Sequence, residues 1–305
     1  LFCVFVNAQL DAFSVIPTDD PEVLKFSKNG HRFPVLGHLQ GVQKLDDRHL
    51  VISGSGQAYF FIVRWSSAGI NANEVGQVIK LVKIKDDFPE IKDKHAGGIQ
   101  IVDNVLAIGT EKNGQSNVVF YDLSNPNNPV PIGNKIFRNH NTAGAVGLVR
   151  QANNYLLVVG AWNSDEIDFY TSDGFDFSSF TLQKTWKKSQ KDTSGWIDEN
   201  WGRYQGLNLI REQDGQLHLV GFHRSKGEDW VDLYSLDINA NASTMLKKVD
   251  GKQVYCIDGA SFRYSGGLCM SGTNAGIALF ATERRVRFRT VVGCLRVGLD
   301  NLDGN

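Results

Sequence analysis

The chain lacks long apolar runs, sustained helical periodicity, metal-spaced cysteines and any large excess of one charge. Each absence removes a class. No apolar run approaches the roughly 18 to 20 residues that a membrane helix requires. A formal net charge of −1 supplies no global field to gather nucleic acid or an acidic membrane surface, so neither is expected as a partner. Four cysteines without a Cys-x-x-Cys pair give no disulfide framework and no zinc spacing. Cys256 and Cys269 are either a bridge between adjacent strands or buried free thiols. The nucleophile-elbow, P-loop and dinucleotide-binding patterns are also missing, so none of those chemistries is signalled. With apolar spacing of helical period nearly absent, the chain reads as all-β.

What is present fits that class. The 305 residues are 42 % hydrophobic and 21 % charged, enough for a real core. Glycine is abundant, at 31 residues, and Asn29-Gly30, Asn113-Gly114, Asp173-Gly174 and Asp214-Gly215 are hairpin-turn signals. The first eight residues, LFCVFVNA, are an apolar run closing on small residues. They match the end of a secretory leader cut after Ala8. Residues 1–8 are therefore expected to be a leader remnant, and the protein to be secreted, extracellular and monomeric.

The chain repeats itself. Blocks begin HLQGVQKL at Gly41, HAGGIQIV at Gly98, NTAGAVGLV at Gly144, RYQGLNLI at Gly206 and CIDGASFR at Gly259, about 46 to 62 residues apart. Each block continues into an apolar strand ending near glycine (HLVISGSG, VLAIGTE, YLLVVGAW, LHLVGFH, GLCMSGT). A third strand rich in aromatics follows (YFFIVRW, NVVFYDL, EIDFYTS, WVDLYSL, GIALFAT), then a more polar, lysine-bearing fourth. Four strands per unit at this period indicate a β-propeller, because a single blade cannot bury both faces alone. The last block lacks its fourth strand, and Pro21 to Phe26 supplies one at the other end of the chain. The expected fold is five four-stranded blades with the N-terminal strand closing the last; six blades is the alternative. Residues 9–285 would form one propeller domain. Residues 286–305 would be an irregular basic tail or an extra outer strand.

The blocks HAGGIQIVDNVLAIGTE and VVFYDLSNPNNP resemble propeller repeats of secreted proteins of no characterised family. The resemblance covers about residues 22 to 285 and implies a fold, not an activity. There is no Trp-Asp signature and no kelch pattern. Fold alone does not choose among the many functions propellers carry.

In a propeller the first strand of each blade lines the axis. The aligned positions then form a ring: His38, His95, Asn141, Arg203 and Cys256 before the glycine, with Gln43, Gln100, Asn208 and Ser261 after it, and Asp258 beside it. Unlike polar side chains at equivalent positions suit a ligand-holding funnel; structural hydration of the channel is the competing explanation. His38, His95 and Asp258 could take an axial divalent cation, zinc or iron by ligand type, or act as an acid–base set. A glycosidase needs two carboxylates facing the sugar, and the ring offers Asp258 alone. Glu111, Asp165, Glu166, Glu228 and Asp229 follow second strands and are expected at the periphery, which counts against glycoside hydrolysis. The long segment 184–204 carries Trp186, Trp196 and Trp201 beside Asp198, Glu199 and Arg203, a plausible carbohydrate or protein contact. The expected function is a binding module for a glycan or protein at the channel mouth and the 184–204 loop. The alternative is a propeller-fold hydrolase, glycosidase- or lactonase-like.

Overall fold

The computed structural model describes residues 13–14, 16–34, 37–66, 69–112, 114–257, 259–270, 277–287 and 289–296. The protein is a five-bladed β-propeller. Blade I holds β2 (Leu39–Asp46), β3 (His49–Gly54), β4 (Tyr59–Arg64) and β5 (Val75–Lys83). Blade II holds β6 (His95–Val102), β7 (Val105–Lys112), β8 (Gln115–Asp122) and β9 (Val130–Arg138). Blade III holds β10 (Ala145–Arg150), β11 (Tyr155–Gly160), β12 (Glu166–Ser172) and β13 (Phe180–Lys187). Blade IV holds β14 (Gly206–Arg211), β15 (Leu217–Ser225), β16 (Glu228–Leu236) and β17 (Leu246–Val254). Blade V holds β18 (Gly266–Met270), β19 (Ile277–Thr282), β20 (Arg289–Arg296) and β1 (Glu22–Ser27).

The ring closes through the N-terminal strand. β1 runs antiparallel to β20, from Glu22 opposite Cys294 to Ser27 opposite Arg289. The expected closure holds, but the last blade is built differently from the expectation. CIDGASFR is not its inner strand: Gly259 sits in a turn at φ +92°, and the inner strand is Gly266–Met270. GIALFAT is consequently the second strand, and the third is β20, inside the segment expected to be a tail or an outer strand. β20 lies between β19 and β1, so it is not at the edge. Residues 1–8, expected to be a leader remnant, lie outside the described residues. Cys256 and Cys269 are free thiols, so they form no bridge with one another.

The apolar runs follow from burial on both faces. Five hydrophobic clusters each join two neighbouring blades. Along β4, Tyr59, Phe61 and Val63 face blade V while Phe60 and Ile62 face blade II. Period-two alternation persists, yet Tyr59 to Val63 are apolar at every position because both sides meet a neighbour. Truncating one such side chain, Phe61→Ala for instance, costs about 3 to 5 kcal/mol. The repeated glycine lets inner strands crowd the axis: a Cβ on Gly41 would lie 2.9 Å from the Ile99 nitrogen.

Candidate functional site

Strand direction decides what reaches each end of the axis. Inner strands start at one end, second strands return to it, and third strands start from it. The starts of β2, β6, β10 and β14 therefore share a mouth with the turns β3–β4, β7–β8, β11–β12 and β15–β16. The register shows this: His95 at the start of β6 is paired with Glu111 near the end of β7. Of the acids following second strands, Glu111 and Glu166 reach the starts of inner strands at this mouth, against His95 and Asn141, and not the periphery.

Gln43, Gln100 and Asn208 lie on the axis below this mouth, 3 %, 7 % and 1 % exposed. Gln43 Nε2 donates to Asn208 Oδ1 at 3.0 Å, and that oxygen also accepts the Leu268 N–H at 2.8 Å. Gln100 Oε1 accepts the N–H groups of Leu148 and Leu209, each at 2.8 Å, while its Nε2 donates to the Leu209 carbonyl at 2.8 Å. Asn208 Nδ2 reaches the Ile99 carbonyl at 3.4 Å. Three amides thus tie the inner strands of all five blades, and both polar atoms of Gln100 and of Asn208 are engaged with protein.

At the mouth His38 and His95 meet, ring centroids 5.4 Å apart and edge to face. Gln40 hydrogen-bonds His38 Nδ1. Burial holds the His38 pKa below the usual imidazole value, and the charges of His95, Arg284 and Arg285 push the same way. His95 Nδ1 is 3.1 Å from Glu111 Oε1, near enough for an ion pair but without the alignment of a hydrogen bond. Asp258, third member of the expected acid–base set, lies outside the described residues.

Glu111 is nearly buried, and its Oε2 accepts the Ala143 N–H at 3.0 Å. Two residues earlier in the chain, Asn141 Nδ2 donates to Glu166 Oε1 at 2.8 Å. Lys187 Nζ stands 3.4 Å from Glu166 Oε2. Carboxylates from β7 and β12 are thus anchored on one short stretch, Asn141 to Ala143. Behind them Asp168 and Arg138 form a fully buried ion pair at 2.7 Å. Burial pushes Asp168 up, but the hydrogen bond from Thr185 and the charge of Arg138 outweigh it and hold it below the usual carboxylate value.

His140, Glu166 and Asp168 place one ligand atom each within 4.8 Å of one another, the cluster among the described residues with metal-like spacing. Its chemistry fits the Arg138 guanidinium better than a metal ion. Asp168 Oδ2 already accepts Arg138 Nε at 3.1 Å and Nη2 at 2.7 Å, and Oδ1 accepts Thr185 Oγ1 at 2.6 Å. The axial cation expected from His38, His95 and Asp258 has no counterpart in this group, which lies on blades II and III.

The 184–204 segment does not present its tryptophans. Trp186 and Trp201 are buried in the cluster between blades III and IV, 4.4 Å apart by centroid, with Trp196 packed against it. Trp201 Nε1 donates to the Ser164 carbonyl at 3.1 Å and Trp196 Nε1 to Leu246 at 3.1 Å. The segment drapes along β17, through Asp192 N–H to Ser243 O and Ile197 N–H to Lys248 O. It covers an edge strand, a structural task. The expected glycan or protein platform of Trp196 and Trp201 is thus not formed. Arg203 remains exposed at the start of blade IV. The exposed tryptophan is Trp162, in the turn β11–β12.

Comparison with solved structures gives the fold a setting. An exo-beta-1,3-galactanase from Phanerochaete chrysosporium matches with a TM-score of 0.52 at 6 % identity, over 92 % of this chain and 64 % of that one. The alpha-L-arabinanase of Penicillium chrysogenum matches with a TM-score of 0.51 at 9 % identity, over 93 % of this chain and 99 % of that one. A thermostable family-43 glycoside hydrolase gives 0.51 at 8 % identity, over 90 % and 94 %. The likeness is one of fold. It extends to characterised glycoside hydrolases, where the repeats alone pointed to no characterised family. The chain spans about two thirds of the galactanase and a smaller share, 34 %, of a bifunctional family-43 protein from Bacteroides eggerthii. No protein-family model matches the chain, and no curated protein does.

Proposed function

We propose that the protein hydrolyses glycosidic bonds at the mouth where His38, His95, Glu111 and Glu166 converge. One observation carries the reading: Glu111 and Glu166, on different blades, are both anchored on Asn141 to Ala143 with His95 against the first. Glycoside hydrolysis asks for an acid that protonates the leaving oxygen and a carboxylate on the other side of the bond. In this reading His95, lying against Glu111 at 3.1 Å, delivers the proton. Glu166, held by Asn141 and partly open to solvent, activates water or attacks the sugar. The fold shared with glycan-cleaving enzymes supports the choice of substrate class.

The test is release of reducing ends from arabinan, xylan and β-1,3-galactan oligosaccharides. Wild type is expected to cleave at least one, and His95→Ala to lose about 100-fold or more in kcat. Cleavage of none of them, or His95→Ala cleaving at the wild-type rate, overturns the reading.

A further inference from the structure

We propose that Trp162 is the stacking platform of a sugar subsite beside the reactive mouth. The proposal rests on the preceding reading only in taking a carbohydrate to enter this mouth. Trp162 is 60 % exposed, an unusual position for so large an apolar ring. It lines an open cleft of about 640 Å³ with Asn141, Asp165, Glu166, Lys187 and Lys188.

The backbone that presents it is strained. Asn163 and Ser164 follow at φ +58° and +52°, two successive non-glycine residues in the left-handed region, which costs free energy and persists only where the surroundings enforce it. The surroundings do so from two stretches of chain, at Thr142 and at residues 201–205. Thr142 Oγ1 accepts the Trp162 N–H at 2.7 Å. Gln205 Nε2 donates to Asn163 Oδ1 at 3.0 Å. Ser164 Oγ donates to the Tyr204 carbonyl at 3.1 Å while Trp201 Nε1 holds the Ser164 carbonyl. A turn tied this firmly fixes the direction in which the indole leaves the backbone, so little ordering is left for binding.

The chemistry around the ring suits a sugar and not an apolar ligand. A pyranose or furanose offers one C–H face and a rim of hydroxyls. The indole face takes the first. The rim meets a carboxylate, an amide and ammonium groups: Glu166 and Asp165, Asn141, and the lysines paired with those acids at 3.4 and 3.2 Å. Glu166 belongs to both sites, so a sugar on Trp162 adjoins the bond to be cleaved. Trp186, Trp196 and Trp201 cannot serve, because all three pack between blades III and IV.

Titration calorimetry with arabinohexaose, xylohexaose, β-1,3-galactotriose and trigalacturonate tests the subsite, with cleavage followed in the same samples. At least one of them is expected to bind, with Trp162→Ala weakening it about tenfold or more and Trp162→Phe recovering most of the loss. The exposed ring makes loss of fold by Trp162→Ala unexpected, and circular dichroism checks it. No binding of any of the four, or equal binding by wild type and Trp162→Ala, overturns the proposal. The two readings part cleanly. Trp162-dependent binding without cleavage keeps the subsite and removes the hydrolase; cleavage by Trp162→Ala at wild-type KM keeps the hydrolase and removes the subsite.

Discussion

Replacing Gln100 tests how the axis is held. Its amide satisfies the N–H groups of Leu148 and Leu209 and the carbonyl of Leu209, each at 2.8 Å, across blades III and IV. Gln100→Leu keeps the volume, excludes water and orphans both N–H groups and the Leu209 carbonyl. Each buried unsatisfied group costs about 1 to 3 kcal/mol, so a loss of about 3 to 9 kcal/mol is expected. Gln100→Ala leaves room for water to bridge the same groups and is expected to cost less. Gln100→Glu adds a pH signature. The protonated acid can both donate and accept, like the amide it replaces, whereas the carboxylate is buried with no donor left for Leu209. Its folded pKa lies above the unfolded value of about 4.3. Stability is then close to wild type below pH 4 and falls as pH rises from the unfolded toward the folded pKa, by up to about 1.4 kcal/mol per unit. Urea unfolding followed by circular dichroism from pH 4 to 8 reads all three. Gln100→Leu within 0.5 kcal/mol of wild type, or Gln100→Glu insensitive to pH, would refute the axial network.

Two other substitutions follow. Asp168→Asn strands the buried Arg138 guanidinium and is expected to cost about 3 to 5 kcal/mol in denaturant unfolding. His38 has a folded pKa below 6.5, so the unfolded chain takes the proton first. Wild type is therefore expected to lose stability relative to His38→Gln as pH falls through 6.5 toward the folded value, read by unfolding at pH 5 and pH 8; equal changes in the two proteins count against the buried, neutral imidazole.

The fold was legible because both blade faces are buried, which writes a strong apolar signature into every blade. The last blade misled for a physical reason. Glycine serves two purposes here, close approach and positive φ. At Gly267 a Cβ would collide with the Val42 carbonyl, whereas Gly259 is a turn residue at φ +92°. Sequence shows the residue and not its reason. β20 was hidden because its arginines mark it as a basic tail, and it lacks the aromatic pair that third strands carry elsewhere. The site was half legible. Inner-strand starts brought His38, His95 and Asn141 to one mouth, but Gln43, Gln100 and Asn208 point into the axis and bond one another's strands. Glu111 and Glu166 are visible as acids in the sequence, but their place at the mouth depends on topology: the turn after each second strand lies at the same end as the start of each inner strand. Trp196 and Trp201 lie in a long segment that covers the edge of blade IV, and loop length signals exposure only when no strand edge needs covering.

The most direct test of hydrolysis at this mouth compares wild type with Glu166→Gln, separating the chemical step from binding on whichever oligosaccharide wild type cleaves. Single-turnover rate and Kd are measured together. The account predicts a rate lower by about 100-fold to 10,000-fold with Kd changed by less than about threefold. An unchanged rate, or a loss in Kd that accounts for the whole effect, would contradict it.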